Sequence, residues 1–260
     1  MKEEIVKALR IQEESRNCKA LFAVESGSRA WGFASPDSDY DVRVVYAKPV
    51  DWYLGLDEHL ADTWNVMLPG ELDFAAWDVR KALRQLMKSN AAFIEWLGSP
   101  FIYHNAGFLE EIRPFIDRVF NPTHVAFHYA SLFRKVMADK TEDGKISVKK
   151  LCYALRANAA LRWVKERETM PPTEFARTLD GIPLDARTRE GIRNLLDLKA
   201  TAGEKDRIVP DASLKELLMD GYDDVVRHRW KKVLEPPQLV MHDLEVLFRR
   251  VIGLSEWTGK

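Results

Sequence analysis

Gly27-Ser28 and, eleven residues beyond Ser28, Asp39-Tyr40-Asp41 carry the residue types of metal-assisted phosphoryl chemistry. Side chains alternate along a strand, so Asp39 and Asp41 fall on one face and Tyr40 on the other. Moving a phosphoryl or nucleotidyl group puts negative charge on nucleophile, phosphate and leaving group together. Two divalent cations about 3.5–4 Å apart neutralise the attacking and leaving oxygens at once. Magnesium takes hard oxygen ligands, which suits carboxylates. A third acid is expected from a neighbouring strand. Asp73, in Leu72-Asp73-Phe74, has the apolar-acid-apolar context; the rival, Asp78, stands where a helix should begin and has a capping role of its own. Gly27 permits close backbone approach, and successive N–H groups at a helix start make an anion cradle, with the Ser28 hydroxyl able to donate to a β- or γ-phosphate oxygen. Arg29 and Arg43 are candidate phosphate contacts. Arg43 lies two residues beyond Asp41, so it shares that face and equally suits a salt bridge with the acids.

Those residues need elements to hold them. Hydrophobic periodicity predicts a helix over 4–16 and strands over 19–24 and 39–46. Two more strands are expected over 62–68 and 71–76, turning at Pro69-Gly70, and a small one over 101–103. Asp78 reads as the N-cap of a helix over 79–89, and a helix over 91–97 stops at Gly98. From about residue 105 only helices are expected. Asn121-Pro122 opens one over 122–139, residues 141–145 form a polar loop, and Ser147 caps one over 148–167 that Pro171-Pro172 stops. Further helices are expected over 173–179, 186–202, 211–234 and 238–252. Strands first and helices after is the α+β pattern, divided here into a catalytic core over 1–110 and a helical domain over 111–260. On the 148–167 helix, Lys149, Tyr153 and Arg156 fall on one face, with Lys150 beside them. That face is a candidate for binding a triphosphate or, alternatively, a solvated basic surface. Lys199 and Glu204 read as surface charges.

The 260 residues, 46% hydrophobic, suffice for one large domain or two modest ones. A net charge of −1 means the molecule as a whole does not attract nucleic acid, which leaves only a local basic patch for that task. Cys18 and Cys152 lack metal-ligand spacing and read as reduced structural thiols. The charged N-terminus has no signal-peptide core, and no apolar run approaches the roughly 18 residues of a membrane span. A cytoplasmic protein that meets no membrane is expected.

The stretch ESGSRAWGFASPDSDYDVRVVY, Glu25 to Tyr46, resembles the signature of the polymerase-β-like nucleotidyltransferase superfamily. More narrowly it is similar to the branch associated with RNA repair and RNA ligases. The resemblance continues through Trp52 to Leu56, Leu72 to Leu83, Lys88 to Tyr103 and Lys149 to Trp163. It implies a small mixed sheet with flanking helices, a bound nucleoside triphosphate, and two Mg²⁺ ions, which Mn²⁺ can replace. It implies transfer of a nucleoside monophosphate to an acceptor hydroxyl with release of pyrophosphate. Gly27 and Ser28 match the phosphate-holding motif, Asp39 and Asp41 the first two metal ligands, and Asp73 the third by its strand context. The acceptor stays open among an RNA 3′ end, a protein hydroxyl and a small molecule. The alternative is a nucleotide-binding regulator or partner-binding protein without catalysis, against which the intact acid pair argues.

Overall fold

The computed structural model describes residues 1–56, 61–138, 144–201, 206–219, 227–232 and 235–254. The chain begins with α1 (Lys2–Arg16), β1 (Lys19–Glu25) and α2 (Gly27–Trp31), then β2 (Tyr40–Ala47) and α3 (Val50–Leu54). A hairpin of β3 (Thr63–Leu68) and β4 (Leu72–Asp78) follows, then α4 (Val79–Met87), α5 (Ala91–Leu97), β5 (Ile102–Asn105), α6 (Phe108–Ile112) and α7 (Phe115–Val119). The strands form one five-stranded mixed sheet in the order β3-β4-β2-β1-β5. Only β2 and β4 run parallel; the other neighbours are antiparallel. The architecture is mixed α+β.

Burial follows from position in the sheet. The interior strand β1 is buried from Ala20 to Glu25, as a strand covered on both faces must be. β4 alternates strictly, with Leu72, Phe74 and Ala76 buried and Asp73 and Ala75 half-buried. Ile5 and Leu9 of α1 pack with Val42, Val44, Leu72 and Phe74, so α1 covers that face and leaves Asp41, Arg43 and Asp73 on the opposite one. The expected caps form: Asp78, Asn121 and Ser147 each accept a first-turn N–H, and Asn90, which was not foreseen, does the same for α5.

Among the described residues the remaining elements are α8 (Pro122–Met137), β6 (Ile146–Ser147), α9 (Val148–Arg167), α10 (Phe175–Asp180), α11 (Ala186–Thr201), β7 (Arg207–Ile208), α12 (Ala212–Met219) and α13 (Pro237–Val251). Two departures from expectation are visible. β6 and β7 pair as an antiparallel ribbon inside the stretch expected to be helical; strands of two residues leave no periodic signal. Of the helix expected over 211–234, α12 covers Ala212–Met219 and residues 228–232 are not helical, while 220–226 and 233–234 lie outside the described residues. Its apolar spacing, Leu214, Leu217 and Leu218, has no continuation at 228–232. Residues 139–143, which include most of the expected loop, lie outside the described residues.

The chain forms two compact units. One comprises Met1–Ala30, Asp39–Val119 and α13; the other comprises Trp31–Ser38 and the helices α8 to α12. The loop that joins Gly27-Ser28 to Asp39 thus belongs to the helical unit, where Phe33 is buried with Phe133, Leu155 and Phe175. No helix among the described residues is long and apolar enough to cross a membrane.

Candidate active site

β2 and β4 pair in parallel, residue for residue, with Asp41 opposite Asp73 and Arg43 opposite Ala75. Two carboxylates side by side on adjacent strands repel unless a cation stands between them. Arg43 supplies it. Its Nη2 donates to Asp41 Oδ1 at 2.5 Å, and its Nη1 donates to Asp73 Oδ2 at 3.0 Å and to the Asp73 carbonyl at 3.2 Å. The planar guanidinium can serve both acids at once, which a lysine point charge does less well.

Gly27 holds the other side of Asp41. Its φ is +60°, and a Cβ there would stand 1.9 Å from Asp41 Oδ2. Only glycine lets that carboxylate lie against the turn. Ser26 N–H donates to the Asp41 carbonyl at 2.8 Å, and Asp41 N–H donates to Glu25 Oε1 at 2.8 Å. Glu25 also accepts from the Tyr103 hydroxyl. Burial pushes the Glu25 pKa up, and the bonds from Tyr103 and Asp41 N–H pull it partly back. Spacing gave no hint of Glu25. The one available signal is an acid closing an otherwise apolar strand.

Gly27, Asp41, Arg43 and Asp73 therefore touch one another. Ser28 follows Gly27 directly and is buried. Asp39 precedes β2 and is exposed; its carbonyl accepts from Arg29 Nε at 3.1 Å, while the Arg29 guanidinium lies 3.8 Å over the Tyr40 ring. Asp78 is engaged elsewhere. Its Oδ1 accepts from Arg80 N–H at 2.8 Å and its Oδ2 from the Tyr53 hydroxyl at 2.6 Å, in a buried setting that raises its pKa. Among the described residues no three His, Cys, Asp or Glu side chains stand close enough to hold a metal ion together. The donor set is nevertheless hard and anionic: two carboxylates in register, partly solvent-accessible, with a glycine cradle at one of them. That chemistry fits magnesium or manganese.

On α9, Lys149 and Lys150 are exposed in the first turn. Tyr153 and Arg156 pack inside the helical unit instead. The Arg156 guanidinium is 4.1 Å over the Trp31 ring, and Tyr153 meets Trp31 edge-on at 5.1 Å. Lys199, expected at the surface, is buried, and its Nζ donates to Ser35 Oγ at 2.9 Å. The Trp31–Ser38 loop that receives it had no helical or strand periodicity from which to foresee the burial. Glu204 lies outside the described residues.

Residues 1–237 match the family described as the RNA repair pathway DNA polymerase beta family. The chain belongs to that family. The membership makes it a polymerase-β-like nucleotidyltransferase by descent and puts the Gly27–Asp73 cluster in the matched region. A Bacillus subtilis (strain 168) protein, YcgL, carried as uncharacterized, is 34% identical over 207 residues, which is 79% of each chain. The crystal structure of a nucleotidyltransferase-like protein from Exiguobacterium sibiricum is 12% identical. It covers 94% of this chain and 76% of its own at a TM-score of 0.30, too loose a superposition to bear on function.

Proposed function

We propose that this protein transfers a nucleoside monophosphate from a nucleoside triphosphate to an acceptor hydroxyl and releases pyrophosphate. The reading is carried by Asp41 and Asp73, set in register on parallel strands with the Gly27 backbone against Asp41. Asp41 and Asp73, with Asp39 from the segment just before β2, are the residues to hold Mg²⁺ or Mn²⁺. When bound, the ions neutralise charge on the triphosphate and on the attacking and leaving oxygens. The chain's own groups do the rest. Backbone N–H groups at Gly27-Ser28 and the Ser28 hydroxyl hold phosphate oxygens, and Arg29 stands beside them. Arg43 keeps the two carboxylates together before the substrate arrives. Asp73 accepts the proton of the acceptor hydroxyl as that oxygen attacks the α-phosphorus and the bond to pyrophosphate breaks.

The acceptor we favour is an RNA 3′ end, on the strength of family membership. A net charge of −1 argues against a long duplex, whose binding rests on many Lys and Arg contacts to phosphate. Two free thiols, Cys18 and Cys152, suit a cytoplasmic setting.

One observation favours a second reading. Arg43 already bridges the two acids, as it would in a protein that binds nucleotide without turning it over. The deciding experiment combines each labelled ribonucleoside triphosphate, Mg²⁺ and total cell RNA, and follows both label transfer and pyrophosphate. We expect label in RNA, and a loss in Asp41→Asn beyond the roughly 100-fold ceiling typical of outer-shell changes. Tight calorimetric binding without pyrophosphate on any acceptor would establish the binding-only protein.

A further inference from the structure

Glu25 closes β1 and is 1% exposed. A carboxylate so placed needs partners for both oxygens. Oε1 accepts from Asp41 N–H at 2.8 Å, and Oε2 accepts from the hydroxyl of Tyr103 on β5. Its backbone is fixed as well: Glu25 N–H donates to the Phe101 carbonyl at 3.0 Å, and its carbonyl accepts from Ser99 Oγ at 2.6 Å.

The arrangement answers a local need. The β1–β2 ladder ends at the Glu25–Val42 pair, because the chain then turns into α2. Beyond that point β1 offers Asp41 no carbonyl, and an N–H shielded from water is costly to leave without an acceptor. The Glu25 side chain takes the missing carbonyl's place. Ser26 N–H meets the Asp41 carbonyl at 2.8 Å, so both polar groups of the Asp41 residue are tied to two successive residues of the turn. The same turn presents Gly27 to the Asp41 carboxylate.

We propose that Glu25, braced by Tyr103, is a positioning residue that fixes the Asp41 backbone and, through it, the direction of the Asp41 carboxylate. Both Glu25 oxygens are used and shielded, so it touches neither substrate nor metal. The activity arm of the test rests on the nucleotidyl-transfer reading; the exchange arm does not.

Three variants separate the outcomes. Glu25→Gln keeps an oxygen for Asp41 N–H, and its amide nitrogen can donate to the Tyr103 hydroxyl. Glu25→Ala removes the acceptor. Glu25→Asp keeps the charge but withdraws it by one methylene, and serves if the alanine variant does not fold. Amide hydrogen exchange of Asp41 is expected to quicken at least about tenfold in Glu25→Ala or Glu25→Asp, and to stay within about threefold of wild type in Glu25→Gln. Val44 N–H, inside the ladder, is the control and should not change. In the transfer assay, kcat should fall by about 10–100-fold in Glu25→Ala or Glu25→Asp while the KM for nucleoside triphosphate holds, with Glu25→Gln restoring kcat. Unchanged Asp41 exchange in Glu25→Ala, or in Glu25→Asp if alanine does not fold, overturns the proposal. So does a Glu25→Gln variant as impaired as the other two. A wild type that transfers nothing, yet shows the exchange pattern, would sink the nucleotidyl-transfer reading and leave the positioning role of Glu25 standing.

Discussion

On β2, Asp41 and Arg43 stand two residues apart and meet each other; on α9, Lys149 and Arg156 stand seven apart on one face and part company. The first pair stays half-buried in a charged cluster. In the second, Lys149 is exposed and Arg156 is 5% exposed beneath the Trp31 ring. The difference lies in how each element fixes its faces. A strand's pleat assigns sides with period two, and its hydrogen-bonded neighbour stands at a fixed distance, so Asp73 could arrive only beside Asp41 once β4 joined in register. A helix has no such neighbour. α9 is buried nearly all round from Leu151 to Leu161, and what covers each residue is decided by segments remote in sequence, here Trp31 and Phe33. Face assignments carry chemistry on β2 and packing on α9.

The sharpest way to break the β2 side is Gly27→Ala. The new Cβ would overlap Asp41 Oδ2, and φ of +60° strains any L side chain. We expect the carboxylate to be pushed aside, transfer to fall beyond about 100-fold, and stability to drop by about 1–3 kcal/mol. A urea titration beside the pyrophosphate assay measures both, and near-normal values in each would mean that Asp41 does not need the cradle. Arg43→Met comes next. It leaves two acids facing each other with no cation between, and the remaining access to solvent limits the loss to about 1–2 kcal/mol. The deficit should depend on ionic strength, because added salt screens both the attraction lost and the repulsion left behind.

β4 contains a second comparison, between its two acids. Asp73 meets Arg43; Asp78, five residues on, caps α4 and accepts from Tyr53. The cap was legible because an acid before a 3.6-residue pattern has one common use. So were the hairpin at Pro69-Gly70, the α+β order of elements, and the pairing of Asp41 with Arg43 through the strand period. The parallel partnership of β2 with β4 was not, since it depends on contacts between strands with α3 and β3 between them in the chain. Glu25 and Lys199 were not legible either, because a single buried charge has no period and its partners, Tyr103 and Ser35, are remote in sequence. Asp78→Asn tests the capping role. Burial holds the folded-state pKa of Asp78 above its ordinary value, so the folded protein binds that proton more tightly than the unfolded chain does. The group's contribution to stability therefore falls as pH rises through the window between the two values, and returns as pH falls. Asparagine keeps the cap and an acceptor for Tyr53 but has no proton to lose. The variant should gain on wild type as pH rises above the ordinary aspartate range, as read by urea midpoints along that rise. A constant difference along it would mean that Asp78 carries the same charge in both states.

The smallest effects are expected on α9, where Arg156→Met is the direct test. Methionine keeps an unbranched apolar stem beneath Trp31 and loses the guanidinium, whose interaction with an indole is worth about 0.5–2 kcal/mol according to how far it is desolvated. If packing is the role of Arg156, stability falls within that range and the KM for nucleoside triphosphate stays within about threefold. If the residue holds a phosphate, KM rises by about tenfold or more, since a charge-assisted bond contributes roughly 1.5–3 kcal/mol. Lys149→Met supplies the reference from the same helix, because that exposed side chain should leave stability within about 0.5 kcal/mol whatever happens to KM. An unchanged KM in both variants would remove α9 from triphosphate binding. A raised KM in Lys149→Met alone would confine binding to the exposed first turn, where the helix face is still set by solvent rather than by Trp31.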